Sequence, residues 1–427
     1  MKSMTINPSK LSGSVTVPPS KSLSHRAVIC ASLAGGVSEI HNIGDSDDIE
    51  STIVAMRALG ARITKQGDSL IIDGTDTLKI TEPQTIDCGE SGSTLRLLMP
   101  LALLCGQPLT FTGSGRLPYR PLETFYNIFK RFEIPFDTTD GILPVTVGSG
   151  EIGKVIEIEG NISSQFISGL LFMLPLKNTN TEIRITTPIE SRGYVDMTIE
   201  VMKIFGVEVQ NNNYHTFKIE GGQRYKGATY TIEGDFSQAA FFFAAGALGS
   251  FVVCKGLNPN SIQGDREILN IIKRMGGAVV VENSDMAAVP SKLHGCVIDA
   301  AQTPDLVPIV AVLGALAAGE TRIKNALRLR IKESDRLTAI TEQLNALGAT
   351  VLEKNDGLII EGVGGLVGGT VDSCNDHRVS MSMAIAATCC SEEVVINDSG
   401  CVGKSYPNFW QDYETLGGKI NEWDVGE

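Results

Sequence analysis

Several short segments pair hydroxyls with lysine or arginine at spacings that suit the binding of anions. In Pro18-Pro19-Ser20-Lys21-Ser22-Leu23-Ser24-His25-Arg26, Ser22 and Arg26 lie four apart and so share one helical face, with Lys21 beside them. A helix start offers free amides and about half a positive charge, so that face fits a phosphate or carboxylate. Gly89-Glu90-Ser91-Gly92-Ser93-Thr94-Leu95-Arg96 is a small-residue turn whose backbone can approach a ligand. Arg116-Leu117-Pro118-Tyr119-Arg120-Pro121 fixes Arg120 between prolines and presents a bidentate fork. Ser163-Ser164-Gln165 offers neutral donors, while Lys332-Glu333-Ser334-Asp335-Arg336 can bind an anion and move a proton at one place. Asp305, directly ahead of the apolar Leu306-Val307-Pro308-Ile309-Val310, is a general-base candidate. Asn375-Asp376-His377-Arg378 and Gly403-Lys404-Ser405 add one arginine and one lysine. Each segment alone reads equally as an N-cap or a salt-bridged helix start.

Their register argues for more than capping. An apolar residue followed by a second residue that is usually glycine recurs with that second residue at 60, 133, 206, 276, 348 and 417, steps of 69 to 73 residues. Position 133 carries glutamate instead of glycine. The polar helix starts recur with the same period, at 20, 92, 163, 235, 305 and 376. Each repeat holds an apolar helix, expected over 22–33, 93–104, 165–174, 237–248, 306–317 and 379–388. A strand, an amphipathic helix stopped by its glycine, and a hairpin follow. The first helix of each repeat is apolar all round after its first turn and is therefore expected to be buried.

The expected fold is α/β, made of α+β repeats: a two-lobed inside-out α/β barrel of six βαβαββ units, three per lobe, with buried helices aimed at an inter-lobe cleft. The last repeat ends without a closing strand, and residues 11–17 are expected to supply it. The chain would then cross between lobes twice. Residues 20–233 would form the N-terminal lobe, and 1–19 with 234–427 the C-terminal lobe.

Composition narrows the function. The 427 residues carry a net charge of -13, which argues against a nucleic-acid or anionic-membrane surface, so any anion site must be locally positive. Converging helix starts would provide such a site. Nine scattered cysteines without a CxxC pair read as buried free thiols in a reducing compartment, and five histidines supply no metal-ligand spacing, so no metal is expected. The N-terminus lacks the apolar stretch of a signal peptide, and the longest apolar run, 306–318, contains Pro308 and is too short to span a bilayer. A cytoplasmic protein is expected.

Together the motifs at 18–26, 89–96, 117–121, 163–168, 332–336 and 375–378, with Lys404, resemble the 5-enolpyruvylshikimate-3-phosphate synthase family nearly end to end and in the family's order. The resemblance implies transfer of the enolpyruvyl group of phosphoenolpyruvate to shikimate 3-phosphate, no cofactor, and a monomer with two small-molecule substrates. It assigns Lys21, Ser22, Arg26, Ser163, Ser164, Gln165, Ser191, Asp305 and Lys332 to shikimate 3-phosphate. To phosphoenolpyruvate it assigns Lys21, Gly92, Arg120, Gln165, Arg336, Arg378 and Lys404. Asp305 would take the 5-hydroxyl proton, and Glu333 or Lys21 would protonate the methylene carbon, through a tetrahedral intermediate shielded from water by lobe closure. Two positions depart from the familiar pattern: the turn Glu90-Ser91-Gly92-Ser93-Thr94, and Arg328 where an asparagine often stands. Neither departure removes a needed charge. Two alternatives are a UDP-N-acetylglucosamine enolpyruvyl transferase, which would need a cysteine loop near Arg120, and a non-catalytic anion-binding protein. Residues 113–125 contain no cysteine, and the set Lys21, Asp305, Glu333 and Lys404 is intact.

Overall fold

A computed structural model describes residues 2–424. The chain divides into two compact units, Met1–Pro18 with Glu233–Glu427, and Pro19–Ile232. Each has its own apolar core. Among the described residues there are six four-stranded sheets, three in each unit.

The second repeat shows how each is built. Gln84–Asp87 leads into a buried helix and returns as Leu109–Thr112, parallel to it. The amphipathic helix Glu123–Arg131 turns Phe125, Tyr126, Ile128 and Phe129 inward, with Glu123 in its first turn and Lys130 and Arg131 in its last, where the helix dipole favours them. The hairpin Phe136–Thr139 and Ile142–Val147 then completes the sheet antiparallel. Gly60, Gly206, Gly276, Gly348 and Gly417 end the outer helices at φ from 79° to 102°, and Glu133 occupies the same slot at φ 54°. That left-handed cap stops the helix and turns the chain into the hairpin, and glycine is the residue that adopts it without strain.

The six apolar helices run Lys21–Leu33, Gly92–Leu98, Ser164–Met173, Phe236–Ala247, Val307–Ala315 and His377–Ala387. In Phe236–Ala247 and Val307–Ala315 every residue is buried. One expected span, 93–104, is shortened by a proline inside it, and prolines flank two others. Pro100 converts 99–104 to a 3-10 helix, Pro175 does the same to Leu174–Leu176, and Pro304 opens the fifth helix with the 3-10 turn Pro304–Leu306. A proline lacks the N–H that an α-helical turn requires.

The strand expected to close the last repeat is a different one. Lys2–Asn7 pairs antiparallel with both Val394–Asn397 and Lys419–Asp424, placing Met4 opposite Ile396 and Ile6 opposite Ile420. Residues 11–17 instead contribute Ser12–Thr16, which runs parallel to Phe251–Lys255 as the edge strand of the fourth repeat. Side-chain pattern explains the exchange. Met4 and Ile6 are fully buried, as an interior strand requires, whereas Ser12–Thr16 turns only Val15 inward and suits an edge. The first repeat borrows its opening strand in the same way, from Thr229–Thr231 alongside Val37–His41. Among the described residues no helix is long and apolar enough to cross a membrane.

Candidate active site

In the unit Pro19–Ile232, Ser20 caps the first buried helix by accepting from the Leu23 amide. Lys21 forms an ion pair with Asp48 at 2.6 Å, and both side chains are mostly covered. Arg26 is 3% exposed and ties two helices together. Its Nη1 donates to the Ser22 carbonyl at 2.7 Å, its Nε to Thr198 Oγ1 at 2.8 Å and its Nη2 to the Tyr194 carbonyl at 2.8 Å. Burial lowers its pKa to about 10, and two of its five donors remain for a ligand. His25, beside it, is buried with Nδ1 2.7 Å from Thr52 Oγ1, and burial together with Lys21 and Arg26 holds its pKa well below the usual value. Thr52 and Thr94 are 2.7 Å apart, and Thr94 donates to Ser91, so a line of hydrogen bonds joins the starts of the first two buried helices.

The third helix start joins the second as well. Ser163 caps Ser164–Met173 by accepting from the Gln165 amide. Gln165 donates to Ser93 Oγ at 2.9 Å and accepts from Arg96 Nη1 at 3.0 Å. Arg96 lies over the Phe166 ring at 5.1 Å and also donates to the Pro121 carbonyl. Arg120, 7% exposed, packs so closely on Gly92 that a Cβ there would stand 2.6 Å from its Nη1. Ser191 starts the helix Arg192–Ile204 in the left-handed region, φ 55° and ψ 48°, and is buried. A serine held in that conformation is strained, and such strain is frequent at functional sites.

The other unit holds a compact ionic cluster. Asp305 sits in the turn Pro304–Leu306, with Arg336 Nη1 at 2.8 Å and Lys332 Nζ at 3.4 Å from one carboxylate oxygen, and Arg378 Nη2 at 3.5 Å from the other. Arg336 is 1% exposed and spends four of its five donors on carboxylates. These reach Asp305, Glu333 at 2.7 Å, and both oxygens of Asp376 at 2.7 and 3.3 Å. Burial alone would lower the Arg336 pKa, but Asp376, Glu333 and Asp305 reverse that and raise it. Asp376, wholly buried, also caps the sixth helix by accepting from the Arg378 amide, and Arg336 keeps its pKa below the usual range against the opposing effect of burial. Lys332 is lowered to about 8, chiefly by burial, with Asp305 and Glu333 acting against the shift. Lys404 donates to the Asn375 carbonyl and side chain at 2.8 and 2.7 Å.

Thus Lys332, Glu333, Arg336, Arg378 and Asp305 meet in one unit, with Lys404 tied to Asn375, two residues before the sixth helix. Lys21, Ser22, Arg26, Gly92, Arg120, Ser163, Ser164, Gln165 and Ser191 all belong to the other unit. Sequence reasoning passed over Asp48, Asp265 and Ser237, and gave Asp376 no role beyond its helix start. Asp376 and Ser237 stand in helix starts that the repeat marks, which was a usable signal. Asp48 and Asp265 carried none, because their partners are 27 and 28 residues away. Among the described residues no cluster of histidine, cysteine or carboxylate side chains is arranged to hold a metal. All nine cysteines are unpaired; six are buried, and Cys296, Cys374 and Cys389 are partly exposed. Burial raises Cys401, near Lys404, to about 12, which leaves it a poor nucleophile.

The profile of EPSP synthase (3-phosphoshikimate 1-carboxyvinyltransferase) matches residues 6–413. A 3-phosphoshikimate 1-carboxyvinyltransferase of Clostridium perfringens is 50% identical over 420 residues, covering 98% of this chain and 99% of that one. That of Clostridioides difficile is 47% identical over 437 residues, with both chains covered in full. Among solved structures, EPSP synthase from Acinetobacter baumannii superposes with a TM-score of 0.84 at 26% identity, over 99% of this chain and 100% of that one. The enolpyruvyl transferase NikO from Streptomyces tendae, at 19% identity and a TM-score of 0.78 over 99% of each chain, shares the fold. This chain belongs to the EPSP synthase family, the 3-phosphoshikimate 1-carboxyvinyltransferases.

Proposed function

We propose that the side chains assigned above carry out the reaction of this family. The protein is an enzyme of aromatic amino acid biosynthesis that transfers the enolpyruvyl group of phosphoenolpyruvate to the 5-hydroxyl of shikimate 3-phosphate and releases phosphate. In this reading Ser22, Arg26, Ser163, Ser164, Ser191 and Lys332 hold shikimate 3-phosphate. The phosphoenolpyruvate anion is taken by Arg120, Arg378, Lys404, the Gly92 backbone and the one donor of Arg336 not given to carboxylates. Lys21 and Gln165 touch both ligands.

The observation that carries the reading is Asp305, held on both oxygens by Arg336, Lys332 and Arg378 at the start of a buried helix. A carboxylate fixed by so many donors cannot rotate, so it can meet a substrate hydroxyl in one geometry, as a general base must. It takes the 5-hydroxyl proton as the oxygen attacks C2 of phosphoenolpyruvate, and Glu333 or Lys21 supplies a proton to the methylene carbon. The resulting tetrahedral intermediate collapses by returning a proton and expelling phosphate. Arg336 and Lys332 offset the charge that gathers around these steps.

Phosphate release with varied substrates tests the assignment. Asp305→Ala is expected to cut kcat by at least about a hundredfold while shikimate 3-phosphate affinity changes little. Turnover near that of the unaltered enzyme would reduce Asp305 to a helix cap. Turnover with UDP-N-acetylglucosamine and none with shikimate 3-phosphate would overturn the substrate choice. A monomer working in the cytoplasm completes the proposal. The unpaired cysteines support the compartment, since a reducing environment keeps thiols free. Light scattering reads the oligomeric state.

A further inference from the structure

Behind Arg378 lies a buried carboxylate that the reaction as described does not use. Asp265, in the 3-10 turn Gly264–Glu267, is 4% exposed and accepts a hydrogen bond from the hydroxyl of Ser237, in the first turn of Phe236–Ala247. That same hydroxyl oxygen accepts from Arg378 Nη2 at 3.0 Å, and Arg378 Nη1 donates to the Asp305 carbonyl at 3.2 Å. Both ends of the relay are fixed. Asp235 caps the helix through the Ser237 amide at 2.7 Å. Gln263, two residues before Asp265, is clamped between the Phe236 amide at 3.1 Å and the Gly234 carbonyl at 2.8 Å.

The direction of the relay follows from donor chemistry. An ionised carboxylate has no proton to give, so Ser237 must donate to Asp265 and turn its lone pairs toward Arg378. We propose that Asp265 is a positioning residue that acts through the Ser237 hydroxyl to set the guanidinium of Arg378 for phosphoenolpyruvate. This rests on the assignment of Arg378 to that substrate. If Asp265 takes up a proton it loses the charge that fixes the Ser237 hydroxyl as its donor, so that hydroxyl can turn and its lone pairs are no longer held on Arg378. The charged groups around Asp265 are Asp235 from the helix start, Asp305 from its turn and Arg378 from the sixth helix, with Glu233 one step away through Gln263. Burial foremost, then Asp305, push its pKa up to about 6, so the switch falls in mildly acidic solution.

The test is steady-state kinetics on the full enzyme. Ser237→Ala and Asp265→Asn are each expected to raise KM for phosphoenolpyruvate about tenfold and leave KM for shikimate 3-phosphate within about twofold, the size of one charge-assisted hydrogen bond. Because they cut one relay, the double variant is expected to be no worse than either single one. Ser237→Thr, which keeps the hydroxyl, is expected to restore KM. The ratio of kcat/KM for the unaltered enzyme to that of Asp265→Asn is expected to fall toward one as pH drops through about 6, since only the unaltered enzyme has the group to lose. Ionisation of the substrate phosphate affects both enzymes and cancels in that ratio. Additive losses, a change in kcat with KM unmoved, or a ratio flat with pH would each overturn the inference. If Asp265→Asn does not fold, the Ser237→Ala and Ser237→Thr pair decides alone. Arg378→Lys separates the two levels. If it leaves KM for phosphoenolpyruvate unchanged, the substrate assignment fails. If it raises that KM while the Ser237 and Asp265 variants do not, only the relay fails.

Discussion

Replacing Gly92 by alanine adds one methyl group at a place where the structure fixes the consequence. The new Cβ would stand 2.6 Å from Arg120 Nη1, 2.9 Å from its Cζ and 3.2 Å from its Nη2, whereas ordinary contact begins at 3.4 Å. Arg120 follows a 3-10 turn, its amide donates to the Leu117 carbonyl at 3.1 Å, and Pro121 stiffens the chain beyond it, so the main chain does not yield. The guanidinium itself must retreat, by roughly 0.8 Å, to reach 3.4 Å. A hydrogen bond of about 2.9 Å stretched by that amount is no longer one. Losing a hydrogen bond to a charged group costs about 1.5–3 kcal/mol, or roughly 10- to 150-fold in affinity. Gly92→Ala is therefore expected to raise KM for phosphoenolpyruvate by about 10- to 150-fold and leave shikimate 3-phosphate within about twofold. Alanine improves a helix start by up to about 1 kcal/mol, so thermal stability is expected to hold, which separates the effect from unfolding. The assay is phosphate release with phosphoenolpyruvate varied at saturating shikimate 3-phosphate. An unchanged KM for phosphoenolpyruvate would refute the reasoning, because Arg120 would then either not have moved or not have touched that ligand.

Three further outcomes follow from the same packing. Arg336→Leu strands the buried Asp376 beside Glu333 and Asp305 and is expected to cost about 3–5 kcal/mol in urea unfolding, as removal of one partner of a buried ion pair does. Lys332, with a pKa lowered to about 8, carries its charge below that pH and loses it above. Shikimate 3-phosphate affinity is therefore expected to weaken as pH rises through about 8. A bound phosphate favours the charged form, so binding near that pH is expected to take up a proton, which calorimetry in buffers of different ionisation enthalpy reads. Ile6→Ala, in a strand buried between two others, is expected to cost about 2–5 kcal/mol, while Ser14→Ala on the exposed edge strand stays within about 0.5 kcal/mol.

What the sequence determined is what neighbours along the chain decide. Apolar periodicity marked the buried helices, polar residues at their starts marked the caps, and the cap slots at 60, 133, 206, 276, 348 and 417 set the repeat, since a helix must end where the chain turns left-handed. Many of the proposed site residues stand at those starts, which is why the sequence could single them out. Pro100, inside one apolar span, turned 99–104 into a 3-10 helix, and Pro175 and Pro304, just outside two others, sit in 3-10 turns, a local effect that the apolar pattern alone did not mark. Tertiary structure decided what joins distant residues. Residues 11–17 read as the closing strand of the last repeat, but Lys2–Asn7 took that place. That Lys2–Asn7 entered the last repeat and Ser12–Thr16 the fourth depended on which offered a buried row of side chains to neighbours hundreds of residues away. Arg26 became a strut to Tyr194 and Thr198, and Asp265 came to lie behind Arg378, for the same reason. A hydrogen bond or ion pair across such a span depends on where packing places both partners, and no local pattern carries that placement.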